Sequence, residues 1–155
     1  MSEPIHRGYT IFCDDIRNEI GGKTTFVGVY DAEMLVHADF PIVVPKLAFG
    51  IRYQEKRGVY TDEPVILQIY MPGDEDGKPS FFGELENAAE IRKTTKLAPE
   101  SDPNVTRYLQ IASNIIASPI GIERAGEIKI RALCGSEVAK LGSLLVRQAP
   151  PSPTV

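Results

Sequence analysis

Apolar and polar positions alternate along much of the chain. From Leu47 to Gln54, the residues Leu47, Phe49, Ile51 and Tyr53 share one side of an extended backbone, and Arg52 and Gln54 fall on the other. A period of two predicts a strand with one face buried. Val65, Leu67, Ile69 and Met71 repeat the pattern with Gln68 facing outward, and Pro72-Gly73-Asp74 then brings turn chemistry. Further on, Ile128, Ile130 and Ala132 oppose Glu127, Lys129 and Arg131. Gly135-Ser136-Glu137 turns the chain toward Leu141 to Val146, which predicts a closing hairpin.

The earlier part reads the same way. Tyr9 to Asp14 is apolar at nearly every position, as in a strand covered on both faces or lying next to an edge. It leads through Gly21-Gly22 into the β-prone run Lys23 to Tyr30, and adjacent glycines supply the positive φ of a tight hairpin turn. Met34 to Val36 is a short apolar piece, and Pro41 and Pro45 bracket a segment suited to an edge or a corner. Ser80 to Leu85 predicts a strand, and Glu86 to Lys93 fits a short helix or a loop. Residues 105–116 fit two patterns. Helical spacing is present, with Asp102-Pro103 as cap and first turn, while three Ile and the following Ser118-Pro119 favour a strand.

Seven or eight short strands spaced by roughly 8–15 residues predict an all-β fold, an antiparallel β-sandwich of immunoglobulin-like character. One domain is expected over residues 1–147, with 148–155 as a disordered proline-rich tail. Composition agrees: Val and Ile outnumber Leu and Ala, and 13 Gly and 12 Pro punctuate the 155 residues.

Charge then narrows the partners. With 17 Lys+Arg against 21 Asp+Glu the net charge is −4, and like charges never run to five. Nucleic acid and anionic membrane, which favour a clustered basic face, are therefore not expected as partners. Cys13 and Cys134 are expected as two buried free thiols. Met1-Ser2-Glu3-Pro4 lacks the basic flank and apolar core of a secretory leader, and no apolar run approaches the roughly 20 residues that span a bilayer. The expected setting is the cytoplasm.

Few residues suggest chemistry. Gly22-Lys23-Thr24 ends like a phosphate-binding loop, but Arg17 stands where the first glycine belongs and strands flank both sides, so a hairpin turn with an exposed lysine is expected. The acidic turn Asp74-Glu75-Asp76 invites calcium, yet Lys78 and Pro79 break the helix-loop-helix pattern, and a solvated turn is the simpler reading. His6 and His37 are expected at the surface, and no His-x-x-x-His or Cys-x-x-Cys pair nucleates a metal site. Asn104-Val105-Thr106 fits a glycosylation sequon that only a secreted chain would use, and Pro150-x-x-Pro153 fits a short polyproline ligand. Asp14-Asp15 stands out. Adjacent side chains in a strand point to opposite faces, so one carboxylate is expected to face inward or toward a strand-end neighbour, with Arg17, Lys23 or Lys46 compensating it. That cluster is either a charge network tying the first hairpin to the strand after Pro45 or a polar binding patch.

Phe12-Cys13-Asp14-Asp15-Ile16-Arg17, Gly22-Lys23, Val27-Gly28-Val29-Tyr30 and Pro45-Lys46-Leu47, in this order, resemble an uncharacterised bacterial family catalogued only as a domain of unknown function. The motifs cover residues 9–53, and Val44 stands where that family usually has Leu. The resemblance implies a compact β-sandwich with a strand at 105–116, and implies no activity or cofactor. The expected function is a non-enzymatic cytoplasmic binding or assembly module, taking a protein partner or a second copy, with no metal and no cofactor. Its candidate binding residues are Asp14, Asp15, Arg17, Lys23 and Lys46. The alternative is a calcium-dependent binding domain, or an enzyme using the Asp14/Asp15 region.

Overall fold

The computed structural model describes residues 4–58, 61–97 and 108–151. The strands are β1 (His6–Asn18), β2 (Thr24–Val29), β3 (Glu33–Val36), β4 (Ile42–Val44), β5 (Leu47–Lys56), β6 (Val65–Tyr70), β7 (Phe81–Glu84), β8 (Tyr108–Ala117), β9 (Ile120–Ile122), β10 (Gly126–Cys134) and β11 (Glu137–Gln148). The helix α1 (Ala88–Leu97) lies between β7 and β8. A four-stranded sheet in the order β2-β1-β5-β8 faces a five-stranded sheet in the order β3-β11-β10-β6-β7, and β4 pairs with β9 in a small third sheet. All pairs are antiparallel except β3 with β11.

The fold is the expected all-β sandwich, with eleven strands among the described residues rather than seven or eight. The additional ones are mostly short. A strand of three residues such as β4 or β9 carries no visible period and exists only because a distant partner supplies its hydrogen bonds. The immunoglobulin-like character expected from the sequence does not follow from this strand order. Residues 108–117 form a strand because β8 pairs with β5 in unbroken register over ten residues, from Lys56 with Tyr108 to Leu47 with Ala117. The helical cap expected at Asp102-Pro103 and the sequon at 104–106 lie outside the described residues, as do residues 152–155 of the tail. The last sheet residue is Gln148, and the Ala149 amide donates to the Val36 carbonyl at 2.7 Å, so ordered pairing passes the boundary expected at 147.

The core lies between the two large sheets. Phe49, Ile51 and Tyr53 of β5 meet Leu67 and Ile69 of β6, Ile128 and Ile130 of β10, and Leu141, Leu144 and Val146 of β11. Both free thiols, Cys13 and Cys134, are buried as expected. At Gly8, β1 passes so close to its neighbours that an added Cβ would stand 2.2 Å from the Arg52 carbonyl oxygen.

One strand departs from its pattern. Alternation predicts β5 to be half-buried, but it is covered on both faces from Leu47 to Tyr53. The reason is Phe26 of β2, whose ring folds over Gly50; a Cβ there would lie 2.4 Å from the ring. Arg52, expected to face solvent, is buried beneath the same ring and donates to Asn114 Oδ1 at 2.8 Å and to the Ile51 carbonyl at 3.0 Å. Cys13, Ile16 and Ala48 complete a second small cluster around Phe26.

Candidate functional site

The residues singled out in the sequence come together only in part. Asp15 lies 3.4 Å from Lys46 Nζ and 3.9 Å from Arg17 Nε, so an ion pair does join β1 to the segment before β5. Asp14 projects elsewhere and accepts a hydrogen bond from the Tyr30 hydroxyl at 2.8 Å. Gly28, at φ +67°, makes that possible, because a side chain there would collide with the Asp14 carboxylate. Burial first, and hydrogen bonding to Asp14 second, push the Tyr30 phenol up to about 12. Lys23 is exposed at its turn and joins no ion pair among the described residues. Of the two orientations expected for one of these carboxylates, inward or toward a strand-end neighbour, Asp15 takes the second: it meets Lys46 with 28% of its side chain accessible, and Asp14 is exposed. Exposed pairs of this kind contribute about 0–1 kcal/mol each.

The acidic turn is committed to its own backbone. Asp74 Oδ2 accepts from the Met71 amide at 2.8 Å, the Ser80 amide at 2.8 Å and the Ser80 hydroxyl at 2.7 Å. Burial alone would raise this carboxyl, but the bonds from Ser80 and Met71 outweigh it and hold it below the usual range. Glu75 pairs with Lys78 at 3.2 Å in solvent.

The most organised polar cluster was not anticipated. His6 was expected at the surface but is half-buried, and its Nδ1 lies 2.6 Å from the Tyr53 hydroxyl, 47 residues away. That hydroxyl gives its single proton to Glu55 Oε1 at 2.8 Å, so His6 Nδ1 must be the donor in the first bond. Arg92 of α1 grips the Glu55 carboxylate with two nitrogens, Nε standing 2.9 Å from Oε2, and it also donates to the Glu63 carbonyl at 2.6 Å. The Cys134 thiol lies 3.8 Å from Arg92. Burial and the adjacent Glu55 carboxylate hold the Tyr53 phenol far above its ordinary range. Burial likewise raises the Cys134 thiol, although the Arg92 charge opposes it. Hydrogen bonding to Glu55 keeps Arg92 charged against the penalty of burial.

His6, Glu55 and Cys134 each offer a donor atom within 4.8 Å of the others, a set whose types suit zinc. His6 and Glu55 meet at the Tyr53 hydroxyl, Cys134 lies against Arg92 and the Glu63 carbonyl, and Arg92 already neutralises the carboxylate. The cluster is thus a closed hydrogen-bond network joining β1, β5, α1 and β10. One signal for it was present in the sequence. Glu55 continues the buried parity of Leu47, Phe49, Ile51 and Tyr53, and a carboxylate on an apolar face requires a cation.

Between β7 and β8 the sandwich stays open. A cleft of about 300 Å³ there is lined by Phe81, Phe82, Ile115 and Ile116, with Phe49 and Leu67 of the core at its base. Phe82 is 74% exposed. β8 is the edge of its sheet, and its ten residues Tyr-Leu-Gln-Ile-Ala-Ser-Asn-Ile-Ile-Ala include neither a charge nor a proline. Among the described residues, segment 84–87 and Ile111 to Ser113 line one cavity, and Ser113, Ile115, Ile116 and Ala117 line the cleft beside it.

The class defined by these features is an all-β sandwich whose described residues include a ten-residue uncharged edge strand, β8, and a buried polar network. Comparison with protein-family models, with curated proteins and with solved structures finds no match to this chain. Among the described residues no helix is long and apolar enough to cross a membrane.

Proposed function

We propose that the chain is a non-enzymatic, cytoplasmic binding or assembly module that takes an extended protein segment along β8. The uncharged edge of β8 carries this reading. Edge strands present unpaired amides and carbonyls, and natural proteins blunt them with lysine, proline, bulges or brevity. β8 has none of these over ten residues and keeps an unbroken register with β5. An added strand would take its main-chain hydrogen bonds from β8 and set alternate side chains into the Phe81/Phe82 cleft. The two unpaired thiols support a reducing setting.

The test uses the purified full chain and a synthetic peptide of the Tyr108–Ala117 sequence with solubilising lysines at its ends. Sedimentation velocity over a wide concentration range is expected to show self-association, or the peptide is expected to bind a monomer, and Ile116→Lys is expected to abolish either. A chain that stays monomeric at every concentration and binds no such peptide overturns the reading.

A further inference from the structure

We draw no further inference here: the strongest candidate, a second copy of this chain seated on the apolar cleft between β7 and β8 that Phe81, Phe82, Ile115 and Ile116 line, belongs to the site already described, and nothing in the structure shows what covers it.

Discussion

Arg92 holds the carboxylate of Glu55 across 37 residues of chain, with Nε 2.9 Å from Oε2. The contact brings the face of α1 onto the end of β5 and supplies the counter-charge that a buried glutamate requires. It also sets the Tyr53 hydroxyl, since Glu55 is the acceptor for that proton. Helix position, buried charge and phenol orientation therefore depend on one another.

Removing one member of the pair leaves the other buried and uncompensated. Arg92→Ala is expected to lower unfolding stability by about 3–5 kcal/mol, read as a shift of the urea midpoint at unchanged slope. Glu55→Leu/Arg92→Leu is expected to lose less than the sum of the single variants, because the two side chains form one network. Additive losses would show that the pair is not coupled.

Tyr30 and Tyr53 are both expected to ionise late. For Tyr30 the folded value is pushed up to about 12 from 10.0, by burial first and by Asp14 second. The fold favours the neutral phenol, so this contribution is fully present below pH 10 and is lost as pH rises from 10 toward 12. Phenolate absorbance of the native protein should therefore be the same for wild type and Tyr30→Phe up to about the midpoint of that window, and should diverge above it. Earlier divergence would mean that burial and Asp14 together do not keep the hydroxyl neutral.

Asp74 ties its turn together through one carboxylate oxygen. Asp74→Ala is expected to cost about 1–2 kcal/mol, because two backbone amides and a hydroxyl lose their acceptor. Its carboxyl is held below the ordinary 3.8, so its contribution is present above that value and fades as pH falls below it. Acid unfolding profiles of the wild type and the Ala variant should converge at low pH. If they stay parallel, the turn does not depend on the ionised carboxylate.

Two glycines stand where strands and rings approach most closely. Gly8→Ala would place a Cβ 2.2 Å from a backbone oxygen of β5 and 2.8 Å from Leu141. Gly50→Ala meets only the Phe26 ring. Overpacking of this kind costs about 1–3 kcal/mol, occasionally more, and thermal unfolding should place Gly8→Ala at the costly end. The ring can swing outward at the β2 edge, whereas the backbone of a central strand cannot. A larger loss at Gly50 would invert that ordering.

The candidate sites were legible to different degrees. The Asp15–Lys46 contact was readable because both residues sit near glycine and proline punctuation that fixes where the chain turns. Which aspartate would be exposed did not follow from alternation, because it is Gly28 at positive φ that leaves room for the Asp14 side chain to lie over β2 in solvent. Glu55 shares the buried parity of Leu47 to Tyr53, a signal the sequence analysis passed over, and its partner carries no such signal. Nothing local connects position 55 with position 92, and His6 joins only because β1 pairs with β5 from His6 with Glu55 to Cys13 with Ala48.

Strand faces are local properties: a two-residue period sorts Leu47 to Tyr53, Val65 to Met71 and Ile128 to Ala132 without knowledge of their neighbours, and Gly21-Gly22 and Gly135 mark turns by their own backbone freedom. The sequence by itself determined those faces and turns, and with them the all-β class. Which strands lie together was decided by tertiary structure, through loop closures that bring residues 37 or 47 positions apart into hydrogen-bonding distance. The same closures turned an ambiguous apolar run into the edge strand β8 and placed Phe26 over Gly50. Such contacts form only when burial offsets the entropy of joining distant segments, and that balance belongs to the whole fold.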